Sequence, residues 1–182
     1  LLLSLMGILT VFAIYFEPYR YLRFISFTEP FEDFRGSGWQ LSNALLGIGR
    51  GEWFGIGLGN SLQKNLYLPE PHTDFIFAVI VEEFGLIGGL IVIMLFTVLI
   101  FGIIKTSIKA LELGKLFQGF LVFGAGILIA IQTVFNIGVN LGILPTKGLT
   151  LPFISYGGTS LILFMFLIGL VLRINFENKT IK

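Results

Sequence analysis

Phe84 to Ile104 is a run of 21 residues without a charge, and it restricts the fold of this chain more than any other stretch. At 1.5 Å per residue such a run makes a helix of about 32 Å, enough to cross the ~30 Å hydrocarbon core of a bilayer. Leu116 to Leu141 is a second charge-free run. Leu1 to Phe16 reads as the end of another span, and Gly158 to about Leu172 as the last. Charged residues make up only 13% of the 182-residue chain, about half the share of an ordinary soluble domain. The reading is an all-α polytopic transmembrane protein with about four spans in this stretch. Leu1 opens inside an apolar run with no basic leader, as expected of the C-terminal part of a longer protein.

Charge then orders the segments. Lys105, Lys109 and Lys115 mark 105–115 as a cytoplasmic loop, and Arg173, Lys179 and Lys182 place the tail 173–182 on the same side. Residues 17–74 become a long extracytoplasmic cap loop, 75–104 a span, 116–141 a span, 142–157 an outer re-entrant-like loop and 158–172 a span. The cap loop is too apolar and aromatic for a disordered linker. Within it, Trp39 to Leu46 has helical spacing. The basic residues are scattered and the net charge is +1, which argues against a nucleic-acid partner. With no cysteine, thiolate chemistry is excluded.

Polar and conformationally special residues gather in a few places. Glu70, the lone histidine His72, Thr73 and Asp74 stand directly before the apolar helix, with Pro69 and Pro71 keeping the backbone extended. Thr73 and Asp74 are good N-cap residues for a helix beginning near Phe75. Asp74 is therefore either a cap or a carboxylate held on a rigid element and poised to take a proton. Glu82 and Glu83 are expected at the membrane rim, buried against the cap loop with a basic or hydrogen-bonding partner. Gly85 and Gly89 read as a small-residue pair that lets another helix approach. The glycines from Gly47 to Gly59 lack the spacing of a nucleotide loop and suit tight turns and close packing. Gln132, Asn136 and Asn140 lie on one face at i, i+4 and i+8, either as helix-to-helix hydrogen bonds or as a cavity lining. The stretch 142–160 carries two prolines, Pro145 and Pro152, and cannot be a straight helix. Irregular backbone at membrane depth requires protein or a wet cavity around it, so an outward-open cavity is expected there, where Lys147 can meet Asp74.

Several of these stretches resemble one family. Phe16-Glu17-Pro18-Tyr19-Arg20, Gly36 to Leu41, Phe54 to Ser61, Leu68 to Ala78 (LPEPHTDFIFA), Glu82-Glu83 and Leu144 to Ser160 (LPTKGLTLPFISYGGTS) are similar to the SEDS family of bacterial membrane glycosyltransferases, most closely its cell-division branch. The resemblance implies a fold of about ten transmembrane helices, of which a chain of this length holds about four. It implies a peptidoglycan glycosyltransferase that polymerises lipid II into glycan strands during division. Asp74, the aspartate of the H-T-D motif, is then the catalytic general base. One carboxylate suffices, because an undecaprenyl diphosphate is already a good leaving group. Lys147 is the candidate to stabilise the departing diphosphate, with a divalent cation, Mg or Mn, as the other means; the sequence identifies no metal ligands. His72, Glu70 and Ser155 are further substrate-binding candidates, and His72 and Glu70 serve equally well to hold the loop.

The resemblance further implies a single-span class B penicillin-binding protein and other division proteins as partners. It implies a multi-pass location in the bacterial cytoplasmic membrane at the septum, with the catalytic face outside. Arg50, Glu52 and Val81 depart from what the family commonly carries, which bears on loop conformation rather than on chemistry. Two other classes stay open at this stage. A lipid II flippase also needs an outward cavity, and a non-catalytic division scaffold would use the small-residue helix faces.

Overall fold

A computed structural model describes residues 30–32, 38–63, 72–146 and 148–180. The expected first span, 1–16, the positions Glu70 and Lys147, and most of the N-terminal part of the cap loop lie outside these residues. Among the described residues four helices follow one another: α1 Trp39–Gly51, α2 Ile76–Glu112, α3 Leu116–Asn140 and α4 Gly158–Thr180. Among the described residues α2, α3 and α4 are long and apolar enough to cross a membrane. The protein is an all-helical, multi-pass membrane fold. Leu90, Met94, Leu95, Val98 and Phe101 on α2 and Ile162, Met165 and Phe166 on α4 point outward, as a lipid-facing surface requires.

α3 is the most enclosed of the three long helices. Its small residues let α2 come close: a side chain added at Gly126 would meet Ile103 Cγ2 at 3.0 Å. The interior is a contiguous apolar cluster of Phe96 and Ile103 from α2, Val122 and Ile129 from α3, Leu151 from the following loop, and Phe164 and Val171 from α4. Polar groups close the end near the α2–α3 turn. Ser107 Oγ donates to the Gly119 carbonyl at 2.8 Å, and Asn178 Nδ2 donates to the Thr106 carbonyl at 3.3 Å.

Three boundaries differ from those expected. α2 does not end before Lys105 but continues to Glu112, leaving only Leu113–Lys115 as a turn. Charge marks where a helix leaves lipid, not where its backbone stops, and lysines are good helix formers that extend their stems along it. What stops α2 is Gly114 at φ 75: the Gly114 N–H bonds to Leu111 O and the Lys115 N–H to Ala110 O, a Schellman closure. Gly142 at φ 67 ends α3 in the same way, with Ile143 N–H on Gly138 O. α4 likewise runs past Leu172 to Thr180, assisted by the Arg173–Glu177 pair at 2.9 Å.

The third difference is inside α2, which is broken at Gly85 (φ 75, ψ −174). In an unbroken helix the Leu86 and Ile87 amides would bond to the Glu82 and Glu83 carbonyls. Here the loop after α1 is inserted into that ladder. Ile56 N–H bonds to Glu82 O at 3.0 Å and Gly57 N–H to Glu83 O at 3.1 Å, while Leu86 and Ile87 donate to Glu52 O and Trp53 O at 2.8 and 3.3 Å. The Glu82 and Glu83 carbonyls and the Leu86 and Ile87 amides are therefore all paired again. This approach explains the glycines. A Cβ at Gly55 would lie 2.1 Å from Glu83 O, and one at Gly85 would lie 2.3 Å from Trp53 O. Gly85 and Gly89 therefore do not form a seat for another helix. Gly85 admits the loop, and Gly89 makes room for Val81 and Phe77 of α2's own first turns.

Candidate active site

The site is assembled where the N-terminus of α2, the C-terminus of α3 and the irregular stretch 141–157 meet. α2 begins with Phe75 as its N-cap residue, so the cap falls on neither Thr73 nor Asp74 and no side chain of the cap residue bonds to the helix. A cap bond comes from α3: Asn140 Oδ1 accepts the Ala78 N–H at 3.0 Å, one of the amides a helix start leaves without an intrahelical partner. Phe75, Ala78, Val139 and Ala44 pack around this junction as a small apolar cluster.

Immediately before the helix, three successive carbonyls are held. Tyr156 N–H donates to His72 O at 2.8 Å. Ser155 Oγ donates to Thr73 O at 2.6 Å. Asn136 Nδ2 and Asn140 Nδ2 both donate to Asp74 O, at 3.0 and 2.9 Å. Asn136 and Asn140 are 1% and 0% exposed, so these bonds are shielded from competing water.

The same polar face of α3 organises the loop opposite. Asn136 Nδ2 also reaches Leu149 O at 2.6 Å, and Gln132 Nε2 reaches Thr150 O at 3.0 Å. The i, i+4, i+8 stripe thus serves hydrogen bonding within the protein. It stitches 149–150 and Asp74 to one helix face. Gly148 lies against the Asp74 carboxylate, where an added Cβ would meet Oδ2 at 3.2 Å. Phe153 adopts φ 66, rare for a residue of its bulk, and packs on Phe164 with ring centroids 5.6 Å apart.

Asp74 and His72 are brought to one place, Asp74 half-buried and His72 exposed. An open hollow of about 400 Å³ lies on the His72 side, lined by His72, Phe153, Ser155, Tyr156, Gly158 and Leu161; Asp74 is two residues along the chain and does not line it. Ser155, expected as a substrate contact, is in the lining of this hollow. Its proton is donated to Thr73 O, its oxygen accepts the Leu151 N–H at 2.7 Å, and it is 9% exposed. In these bonds it orders the backbone beside the hollow.

The FtsW, RodA and SpoVE family of cell cycle proteins matches residues 1–180. The chain belongs to this family. A relative from Pasteurella multocida, named as a probable peptidoglycan glycosyltransferase FtsW, is 50% identical over 181 residues, covering 100% of this chain and 46% of the relative. One of the same name from Acinetobacter baylyi is 53% identical over 171 residues, covering 94% of this chain and 43% of the relative. The chain spans about half the length of the curated relatives it matches. The fold is similar to a solved chain of a peptidoglycan synthase complex, with TM-score 0.73 and 28% identity over 98% of this chain and 49% of that one.

Within this family fold, the contribution of Asn136 and Asn140 to the Asp74 site escapes a reading of the residues one by one. The available signal was their common face, and the partner they hold is 62 to 66 positions away. Among the described residues no group of three His, Cys, Asp or Glu is able to cage an ion, and the His72, Thr73 and Asp74 carbonyls are already bonded.

Proposed function

We propose that the full-length protein is a peptidoglycan glycosyltransferase that polymerises lipid II during cell division, with Asp74 as general base. The observation that carries this reading is a carboxylate on a backbone whose flanking carbonyls are fixed by Ser155, Asn136 and Asn140, two residues from the His72 that lines an open hollow. The shared name of relatives about half identical to the chain supports it. In the reaction, an acceptor sugar hydroxyl attacks the anomeric carbon of the donor. A carbon–oxygen bond forms there as the bond to the diphosphate oxygen breaks, and the lipid diphosphate leaves with the electron pair. The hydroxyl proton passes to the Asp74 carboxylate and from it to water. An aspartate is ionised at neutral pH and so accepts this proton.

His72 lines the hollow and is our candidate for orienting a sugar or phosphate group. Lys147 and Glu70 complete the substrate-binding set we propose, with Lys147 offsetting the charge that develops on the diphosphate. No step is routed through a metal. By its family and its long apolar helices the protein acts within a membrane, which we place as the bacterial cytoplasmic membrane at the septum. A single-span class B penicillin-binding protein is the proposed partner, in keeping with a structural neighbour drawn from a synthase complex.

The test is Asp74→Asn in the full-length protein. It is expected to insert and melt normally while losing polymerisation of externally supplied lipid II by about 10²- to 10⁴-fold, the usual weight of a general base. Polymer at the normal rate sinks the assignment. One observation favours the transporter reading: Glu82 is fully buried within α2, and intramembrane acids commonly mark ion-coupled pathways. Polymer formed from external lipid II requires no flipping, so the same assay separates the two.

A further inference from the structure

We infer that Asn136 and Asn140, together with Ser155, are positioning residues that lock the two backbone dihedrals of Asp74 and so hold its carboxylate in a single direction; this rests on the reading of Asp74 as the base. A peptide unit is planar, so a residue is oriented by the two planes on either side of it. The plane before Asp74 contains the Thr73 carbonyl, held by Ser155 Oγ at 2.6 Å. The plane after it contains the Asp74 carbonyl, held by Asn136 and Asn140 at 3.0 and 2.9 Å. One plane further back, Tyr156 N–H holds His72 O at 2.8 Å. With both flanking planes pinned, the direction of the Asp74 Cα–Cβ bond is set, and Gly148 lies against Oδ2.

Ordinary helix capping does not require this arrangement. A cap needs one acceptor for an early amide, and Asn140 Oδ1 already supplies it to Ala78. The second and third bonds point the other way, from two buried amides to one carbonyl that lies outside the helix and contributes nothing to its ladder. A carbonyl with two lone pairs accepts both donors, and doubling them defines the plane. The three anchors come from two different segments, α3 and the loop before α4, so the aspartate is fixed relative to these segments and not only to its own helix.

Asn140→Asp separates the two roles. It keeps an acceptor for Ala78 N–H and removes the donor to Asp74 O. Full-length Asn140→Asp and Asn136→Ser, purified in detergent and supplied with lipid II, are expected to melt within a few degrees of the unsubstituted protein. Their kcat should fall by about tenfold to a hundredfold with KM nearly unchanged, the cost expected of a base displaced by about 1 Å. Introduced into Asp74→Asn, either change should lower the residual rate no further, because the group it aims is gone. A folded variant with unaltered kcat overturns the proposal, and so does an additional loss in the Asp74→Asn background. If Asn140→Asp fails to fold, Asn136→Ser carries the test, since it leaves Asn140 on both Asp74 O and Ala78. If Asp74→Asn itself polymerises normally, it is the general-base reading that falls.

Discussion

Two polar sites lie at the start of α2, one just before the helix at Asp74 and one in its first turns at Glu82 and Glu83, and they are finished to different degrees. Around Asp74 the described amides and hydroxyls are matched: Asn136, Asn140, Ser155 and the Tyr156 amide each meet a carbonyl at 2.6 to 3.0 Å. Around Glu82 and Glu83 the backbone is equally complete, but the side chains are not. Ser61 Oγ donates to Glu82 Oε2 at 2.5 Å, while Glu82 Oε1, Glu83 Oε1 and Gln63 Oε1 have no hydrogen-bond partner among the described residues. Glu82 and Gln63 are neighbours, both lying within 4 Å of the same point above Gly47. Of the basic or hydrogen-bonding partner expected for these acids, Glu82 has the second kind in Ser61. A matched network specifies one geometry, whereas unmatched buried acceptors lower stability. Precise orientation is thus concentrated at Asp74, and at the kink only the course of the backbone is secured.

The contrast is open to test by substitution, with stability read as thermal or denaturant unfolding of the full-length protein in detergent. The largest effect is expected at the kink's backbone. Gly85→Ala adds a Cβ 2.3 Å from Trp53 O at a positive φ, and should cost more than about 3 kcal/mol or prevent folding altogether. A mild effect would mean that the loop is not inserted into the helix ladder as described.

A smaller loss is expected from Ser61→Ala. It removes the donor that Glu82 Oε2 has and should cost about 1–3 kcal/mol, since it strips a hydrogen bond from a buried carboxylate. No change in unfolding would show that Glu82 draws no support from Ser61. Glu82→Gln is expected to act least and in the opposite direction, leaving stability unaltered or raising it by up to about 1 kcal/mol, because a neutral amide of equal size is easier to bury and can donate. A loss of several kcal/mol there would show that the carboxylate has a counter-charge in the complete protein, and the two sites would then be alike.

Much of this architecture was legible in the residues. The charge-free run Phe84–Ile104 required a span, the prolines in 142–160 required an irregular loop, and Asp74 stood out beside the lone histidine. Boundaries were less legible, because Lys105 signals the membrane surface whereas Gly114, with its positive φ, is what ends the helix. The purpose of the asparagines was legible only as a stripe. Spacing shows that Gln132, Asn136 and Asn140 share a face, but not what lies opposite, and their targets at Thr150 and Asp74 belong to other segments.

By itself, then, the sequence determined what hydrophobicity and backbone stereochemistry dictate locally: which runs enter the membrane, where straight helix is forbidden, and which acid adjoins the first apolar turn. The tertiary structure alone decided what each buried polar group meets. It made Asn140 the surrogate cap of α2, turned the Gly51–Gly57 loop into a splice in the helix at Gly85, and matched the carbonyls around Asp74 while leaving oxygens of Glu82 and Glu83 unmatched. The physical reason is that hydrogen bonds are short and directional. A pairing between positions some 60 residues apart exists only once packing has brought them together, and no local propensity encodes it.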